Sequence, residues 1–401
     1  MKILFIAMSN SIHTARWIAQ IADQGWDLHL FPCEDLGYVH PDLKNTTVHH
    51  SLYAYHQRTH NSLVRLKGVP VFSDFMANAA RYLVKVVFPD YRKIQMKRLI
   101  QRLRPDIIHS MEFQSAGYLT HEVKGSMNKK FPLWIATNWG SDIFLYGRLP
   151  EHQERIKGIL RACDYYSCEC HRDVELARSM GLKGKVLPVL PNTGGYDLAR
   201  INSLIQPEPT SKRRMILLKG YQGLFGRALV GLRAIGMSAR WLQGYRVVVY
   251  SASKDEAIKI AAEILQQDSG LPVEILPPCT HDDMLRLYGQ ARIYLGLSIS
   301  DAISTSLLES MVMGTFPIQS NTSSADEWIV DGKTGFIVPP EDPEQIAQAI
   351  RRAVTEDELV DKAAHINAQT ARERLDISIV KPQVIAMYQQ IFAQSQRRNP
   401  A

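Results

Sequence analysis

Apolar residues in this chain come in short unbroken runs separated by stretches of helical spacing, and that alternation organises the sequence. Residues 1–9 (MKILFIAMS) form an apolar run of the kind buried on both faces of a parallel sheet. Ile18, Ile21 and Ala22 then recur at helical spacing within 14–24 until Gly25, and residues 26–32 are a second apolar run. Strand, helix and strand in that order predict a parallel sheet. Residues 106–110 (DIIHS), 133–137 and 185–190 extend it as further strands, with a helix over 173–180. A second series begins after the polar, proline-bearing stretch 201–214, the best linker candidate. Its strands are predicted at 215–218, 246–250 and 273–276, and its helices at 228–235, 255–265 and 281–289. Alternation continues to Ile350, and 380–394 has the length of a long terminal helix. The expected architecture is α/β with two doubly wound domains, 1–200 and 201–377, and a helix at about 378–396 packing back on the first.

The most informative stretch is 291–314, ARIYLGLSISDAISTSLLESMVMG. Ile293, Tyr294, Leu295 and Leu297 read as a buried strand, and Ser298, Ser300 and Asp301 as a turn. A helix follows whose first turn holds Ser304, Thr305 and Ser306 and whose buried face is Leu307, Leu308, Met311 and Val312. An uncapped helix start presents free N–H groups and a partial positive charge, which suits a phosphate. Asp301 and Glu309 place two carboxylates beside that point. Carboxylates repel phosphate and bind hydroxyls, so the combination points to a nucleotide sugar. The plainer reading is an ordinary strand–helix joint with a solvated Asp and Glu.

Composition adds limits. The chain has 401 residues, 45% hydrophobic and 22% charged, enough for about two globular domains. Its longest apolar runs, such as 82–88, fall short of a membrane span. Met1 opens directly onto a strand without signal-peptide architecture, so a cytoplasmic chain is expected. The five cysteines are scattered and odd in number, which argues against a disulfide framework. Cys168 and Cys170 share one face if 163–171 is a strand, but no second ligand pair follows at zinc spacing, so no metal site is expected.

The net charge of +7 is uneven. Between Arg58 and Arg104 lie Arg65, Lys67, Arg81, Lys85, Arg92, Lys93, Lys97, Arg98 and Arg102, against Asp74 and Asp90, with Phe72, Phe75, Tyr82, Phe88 and Tyr91 interleaved. Such a segment fits a solvated helix face, an anionic membrane surface at the inner face of a membrane, or a phosphorylated acceptor. No nucleic-acid-binding signature accompanies it, and no nucleic-acid partner is expected.

The glycine patterns exclude two classes. The first strand–helix turn is Ser9-Asn10-Ser11-Ile12-His13, without G-x-G-x-x-G, which disfavours a nicotinamide dehydrogenase. Residues 219–227 (KGYQGLFGR) form a glycine-rich turn lacking the spacing of a Walker loop. Glycines such as Gly220 allow close backbone approach, and Lys219 and Arg227 at a strand tip read either as a diphosphate grip or as surface cations.

Asp301 to Glu309 resembles the E-x7-E motif of retaining GT-B glycosyltransferases, most closely glycosyltransferase family 4, with Asp in place of the first Glu. The following text, MVMGTFPIQSNTSSADEWIVDGKTGFIVPPEDPEQIAQAI, is similar to that family's C-terminal half. SNSIHTARWIAQIADQGWDLHLF resembles its first loop and helix, TNWGSD its T-x-H-G-x-D loop with Trp139 replacing the His, and PNTGGYD its domain-closing turn. The resemblance implies two Rossmann-like domains facing a cleft, donor on the second and acceptor on the first. It implies transfer of a sugar from a nucleotide diphosphate, UDP foremost, to a hydroxyl on a saccharide or lipid-linked acceptor in cell-surface glycan synthesis, with retention. Asp301 would meet the donor sugar, Glu309 the ribose, and Lys219, Arg227, Gly220 and the Ser304–Ser306 amides the diphosphate. Asn10, His13, Glu112, Trp139 and Asp142 would lie on the acceptor or sugar side. His13 reads equally as a helix-start residue, and Asp142 as a proton acceptor or a helix cap. The chain has no D-x-D, so neither metal nor cofactor is expected. A sugar-nucleotide epimerase or hydrolase, or a catalytically silent binding subunit, would fit the same fold.

Overall fold

The computed structural model describes residues 1–57, 63–127, 131–252 and 254–398. The chain divides into two compact units: Met1–Gly195 with the chain from Val380 on, and Tyr196–Ile379.

In the first unit eight parallel strands are ordered β4-β3-β2-β1-β5-β6-β7-β8. They are β1 Lys2–Ala7, β2 Asp27–Pro32, β3 Thr46–Ala54, β4 Val64–Val71, β5 Ile107–Met111, β6 Leu133–Thr137, β7 Tyr165–Ser167 and β8 Lys185–Val186. The unbroken apolar run of β1 follows from its central position. Ile3, Phe5 and Ala7 enter one core, while Leu4 and Ile6 enter the core on the opposite face. The first core also takes Val380, Val384, Tyr388 and Ile391 from the helix Ile377–Arg398. A hydrogen-bond chain fixes that helix: Trp17 Nε1 donates to the Tyr388 hydroxyl (2.9 Å), which meets His109 Nδ1 at 2.6 Å, and His109 Nε2 meets Thr137 Oγ1 at 2.6 Å.

In the second unit six parallel strands are ordered β11-β10-β9-β12-β13-β14: β9 Met215–Lys219, β10 Arg246–Tyr250, β11 Val273–Ile275, β12 Ile293–Gly296, β13 Phe316–Ser320 and β14 Phe336–Val338. Both sheets are therefore doubly wound, as the alternation predicts.

Several local expectations change. β8 stops at Val186 because Pro188 has no N–H for the ladder. Cys168 and Cys170 do not share a strand: β7 ends at Ser167, and Cys170 is the N-cap of the helix His171–Ser179. Both are buried, and no metal-holding cluster occurs among the described residues. The stretch 201–214 is packed rather than a free tether, with Thr210 Oγ1 donating to the Gly314 carbonyl and buried Arg213 donating to those of Ala291 and Met313. The basic segment, whose residues 58–62 lie outside the described ones, becomes β4 and the helices Asp74–Val87 and Tyr91–Leu103.

Candidate active site

In the second unit chain order runs outward from β9 on one side and from β12 on the other, so their carboxyl ends flank the point where an open α/β sheet leaves a crevice. The glycine-rich turn leaves β9 there, and the Ser298–Asp301 turn leaves β12. The two are stitched together: Ile299 N–H donates to the Phe225 carbonyl (2.8 Å) and Arg227 N–H to that of Leu297 (3.0 Å). Gly226 is obligatory, since a Cβ would lie 2.0 Å from the Tyr221 carbonyl oxygen. Gly220 is comparably close, with a Cβ falling 2.5 Å from that of Ala252.

Lys219 ends β9, half-buried, with its ammonium 4.6 Å from the centre of the Tyr221 ring. Burial pulls its pKa down, but the fields of Tyr294, Asp301, Tyr221 and Glu309 outweigh that, and the net shift is upward. Asp301 and Glu309 thus both act on the Lys219 ammonium through their fields. Ser304 is the N-cap of the helix Thr305–Val312 and makes no side-chain cap bond, so this helix start is open, as the sequence implies. Beneath it lies a group of buried tyrosines. The Tyr250 hydroxyl donates to Ser306 Oγ (2.9 Å) and meets the Tyr288 hydroxyl (2.9 Å), while that of Tyr294 donates to Gln319 Oε1 (3.2 Å). Burial raises the pKa of all three, so they stay neutral donors.

Two partners were not legible in the sequence. His281 Nε2 donates to Glu309 Oε1 at 2.7 Å, orienting a buried carboxylate across 28 positions. His281 opens the helix His281–Gln290 behind the Thr280 cap, and that cap was the available signal. Arg227 is engaged elsewhere in its own turn: its Nε donates to Glu341 Oε1 (2.8 Å) and its Nη1 to the carbonyls of Gly223 and Gly226.

In the first unit the corresponding switch point lies between β1 and β5. Asn10 and His13 follow β1, Glu112 follows β5, and Trp139 and Asp142 follow β6. His13 stacks edge-on against Trp139 with ring centres 5.6 Å apart, and the helix start is capped by Ser11. Trp139 Nε1 is buried without a hydrogen-bond partner among the described residues. Asp142 Oδ2 accepts from the Phe113 and Trp139 amides at 2.8 and 2.7 Å, bracing two strand tips. Glu112, at φ 77°, caps the following turn by accepting from Ser115 N–H at 3.0 Å and from Ala116 N–H. Burial, and then the charge of Glu112, raises the Asp142 pKa well above the carboxylate range, and burial also raises that of Glu112.

Comparison with known proteins bears on both units. Residues 242–373 match the family model described as glycosyl transferases group 1, and 85–166 the one described as glycosyl transferase 4-like. No curated protein matches the chain. Among solved structures, sucrose-phosphate synthase from Thermosynechococcus elongatus is similar at 17% identity and a TM-score of 0.67, covering 98% of this chain and 100% of its own. HepE from Anabaena, in complex with UDP-glucose, is similar at 11% identity and a TM-score of 0.69, covering 97% and 100%. A trehalose-6-phosphate synthase, studied for glycosyl transfer with retention, is similar at 12% identity and a TM-score of 0.66, covering 97% and 99%. At these identities the likeness shows the fold. No helix among the described residues is long and apolar enough to cross a membrane.

Proposed function

We propose that this chain, a GT-B protein resembling glycosyltransferase family 4 in segments of both units, transfers a sugar with retention from a nucleoside diphosphate donor to an acceptor hydroxyl. One observation carries the proposal: at the switch point of the second sheet, Lys219 at the tip of β9 feels the charges of Asp301 and Glu309, which flank an open helix N-terminus after β12. An anion site framed by carboxylates fits a diphosphate whose attached rings offer hydroxyls. As the glycosyl–phosphate bond breaks, charge builds on the diphosphate. Lys219 and the amides of Thr305 and Ser306 stabilise it, a fixed field that costs no reorganisation. Glu309, oriented by His281, receives ribose hydroxyls, and Asp301 receives those of the donor sugar. UDP is the favoured base carrier, supported by the UDP-glucose complex of HepE. Sugar release and acceptor deprotonation need no enzyme nucleophile on this reading, because the departing phosphate accepts the hydroxyl proton on the donor's front face.

A panel of nucleotide sugars screened by thermal shift, followed by product analysis with and without saccharide or lipid-linked acceptors, tests this. Retention, acceptor dependence and activity in chelator are expected. Turnover without acceptor would identify an epimerase or hydrolase instead. The engagement of Arg227 with Glu341 favours one second reading, a silent nucleotide-sugar-binding subunit. In that case Glu309→Ala would abolish donor binding in a protein that never turned over.

The acceptor reading extends to a lipid surface. Phe72 and Phe75 are 90% and 81% exposed, and Tyr82, Val86 and Phe88 are exposed beside Lys85 on or next to the helix Asp74–Val87. Aromatic and cationic groups together fit an anionic bilayer, on which a cell-surface glycan enzyme would meet a lipid-linked acceptor. Vesicle co-sedimentation lost at high salt is expected, and no binding to anionic vesicles at low salt would remove this part.

A further inference from the structure

A cavity of about 320 Å³ lies in the first unit between the helix Tyr91–Leu103 and the outer strands β3 and β4. Lys67 reaches it from β4, Arg98 and Arg102 from the helix, and His49, His50 and Gln95 complete its polar wall. Among the described residues no carboxylate lines it.

Lys67, Arg98 and Arg102 are themselves exposed, while His49 and His50 behind them are buried, and three features mark the place where they meet. First, Arg98 and Arg102 are one helical turn apart, an arrangement that destabilises a helix when both charges are alike. The other cations of this helix are occupied: Arg92 by Asp35, Lys93 by Asp90 and Glu122, and Lys97 by the Ser126 carbonyl. Among the described residues Arg98 and Arg102 form no ion pair.

Second, the backbone is rebuilt here. The β3–β4 register shifts between His49 and Leu52, so His50 and Ser51 oppose Gly68 as a bulge. Gly68 adopts φ 137°, and a Cβ there would lie 2.4 Å from the His50 carbonyl oxygen. The shift leaves the successive residues His49 and His50 both buried in the cavity wall, whereas neighbours in a regular strand face opposite sides. Asp35 Oδ1 holds His50 Nδ1 at 2.8 Å, and among the described residues His50 Nε2 has no hydrogen-bond partner.

Third, the positive field is felt inside. Burial first, then the charges of His29, Lys67 and Arg102, pull the pKa of His49 down to about 3. An anion in the cavity would relieve both that field and the Arg98–Arg102 repulsion.

We propose that this cavity is a binding site for a phosphate group, gripped by Lys67, Arg98 and Arg102, and separate from the donor site of the second unit. The phosphate comes either from a small soluble phosphomonoester or from a lipid headgroup. The proposal does not rest on the glycosyl-transfer reading, and its test needs no turnover.

The full chain and the variant Arg98→Gln/Arg102→Gln are titrated calorimetrically with inorganic phosphate and with glucose 6-phosphate. Any binding in the second unit is common to both proteins and cancels in the difference. In parallel, both are sedimented with phosphatidylcholine vesicles containing phosphatidic acid, or phosphatidylserine at matched surface charge. The variant should melt no lower than the parent, because it removes a like-charge pair. Lys67→Gln, on the opposite wall, serves as a second reporter. At least tenfold weaker binding of a soluble phosphate by both variants supports the site with a soluble ligand. Selective loss of phosphatidic acid binding supports it with a lipid ligand. Unchanged binding in the variants, no binding of any probe at millimolar concentration, or equal loss on both vesicle types would overturn it.

Discussion

Replacing Lys219 by Met removes the cation on which the donor-side reading depends while keeping most of its volume. In the native protein Asp301, Glu309 and Tyr294 all act on this ammonium at the end of β9. If the departing diphosphate gains about one negative charge at about 5 Å, an effective dielectric of about 20 gives roughly 3 kcal/mol of stabilisation. That agrees with the roughly 3 kcal/mol typical of one preorganised donor at a developing charge. The expected loss is therefore about 150-fold in kcat. The charge develops mainly as the bond breaks, so KM for the donor should move less than tenfold. Release of nucleoside diphosphate gives kcat and KM, and calorimetric titration with UDP gives ground-state affinity. A folded Lys219→Met protein with kcat within threefold of the parent would refute the assignment and move the catalytic cation elsewhere.

Three further outcomes are expected. Glu341→Gln frees Arg227 from an ion pair whose carboxylate is 65% exposed and so worth at most about 1 kcal/mol; UDP titration should show affinity rising up to about fivefold with little change in melting temperature, and unchanged affinity would show that Arg227 never meets the donor. Tyr388→Phe leaves Trp17 Nε1 and His109 Nδ1 buried without their partner, so urea unfolding should reveal a loss of about 2–4 kcal/mol, and a loss under 0.5 kcal/mol would contradict the hydrogen-bond chain. Burial holds the pKa of His109 at about 3, whereas the unfolded chain takes up that proton near 6.5. Stability should therefore be full above about pH 6.5 and fall towards pH 3 by up to about 1.4 kcal/mol per pH unit, with His49 adding in the same direction; urea melts across this range should show His109→Gln losing about one proton of slope.

How much of this was legible beforehand depended on how local the cause was. The strand–turn–helix at 291–314 is written in adjacent residues: apolar run, small polar turn and apolar stripe. Its open helix start follows from those residues, one position later than the pattern predicts, with Ser304 as the N-cap rather than in the first turn. β9, β10 and β12 were legible for the same reason, since central parallel strands must be apolar on both faces. β4 was not, because an edge strand carrying Arg65, Lys67, Gly68 and Pro70 has neither alternation nor continuity to read. The pairing of His281 with Glu309 and the turning of Arg227 to Glu341 depend on approaches across 28 and 114 positions. No spacing rule carries such contacts. Asp142 meets neither expectation simply: its Oδ2 accepts from the amides of Trp139 and Phe113, which precede it in the chain, and not from the start of a following helix.

The helix from Ile377 carries a consequence for how the molecule is born. Its Val384, Tyr388 and Ile391 are core residues of a unit whose other strands end near Val186. On the ribosome, the second unit's 184-residue insertion, Tyr196–Ile379, must therefore emerge before the first unit receives its last buried side chains. Until then the hydrophobic groove waiting for that helix stays open to chaperones and proteases, and a stalled nascent chain released before position 380 should be degraded rather than accumulate as a half-molecule.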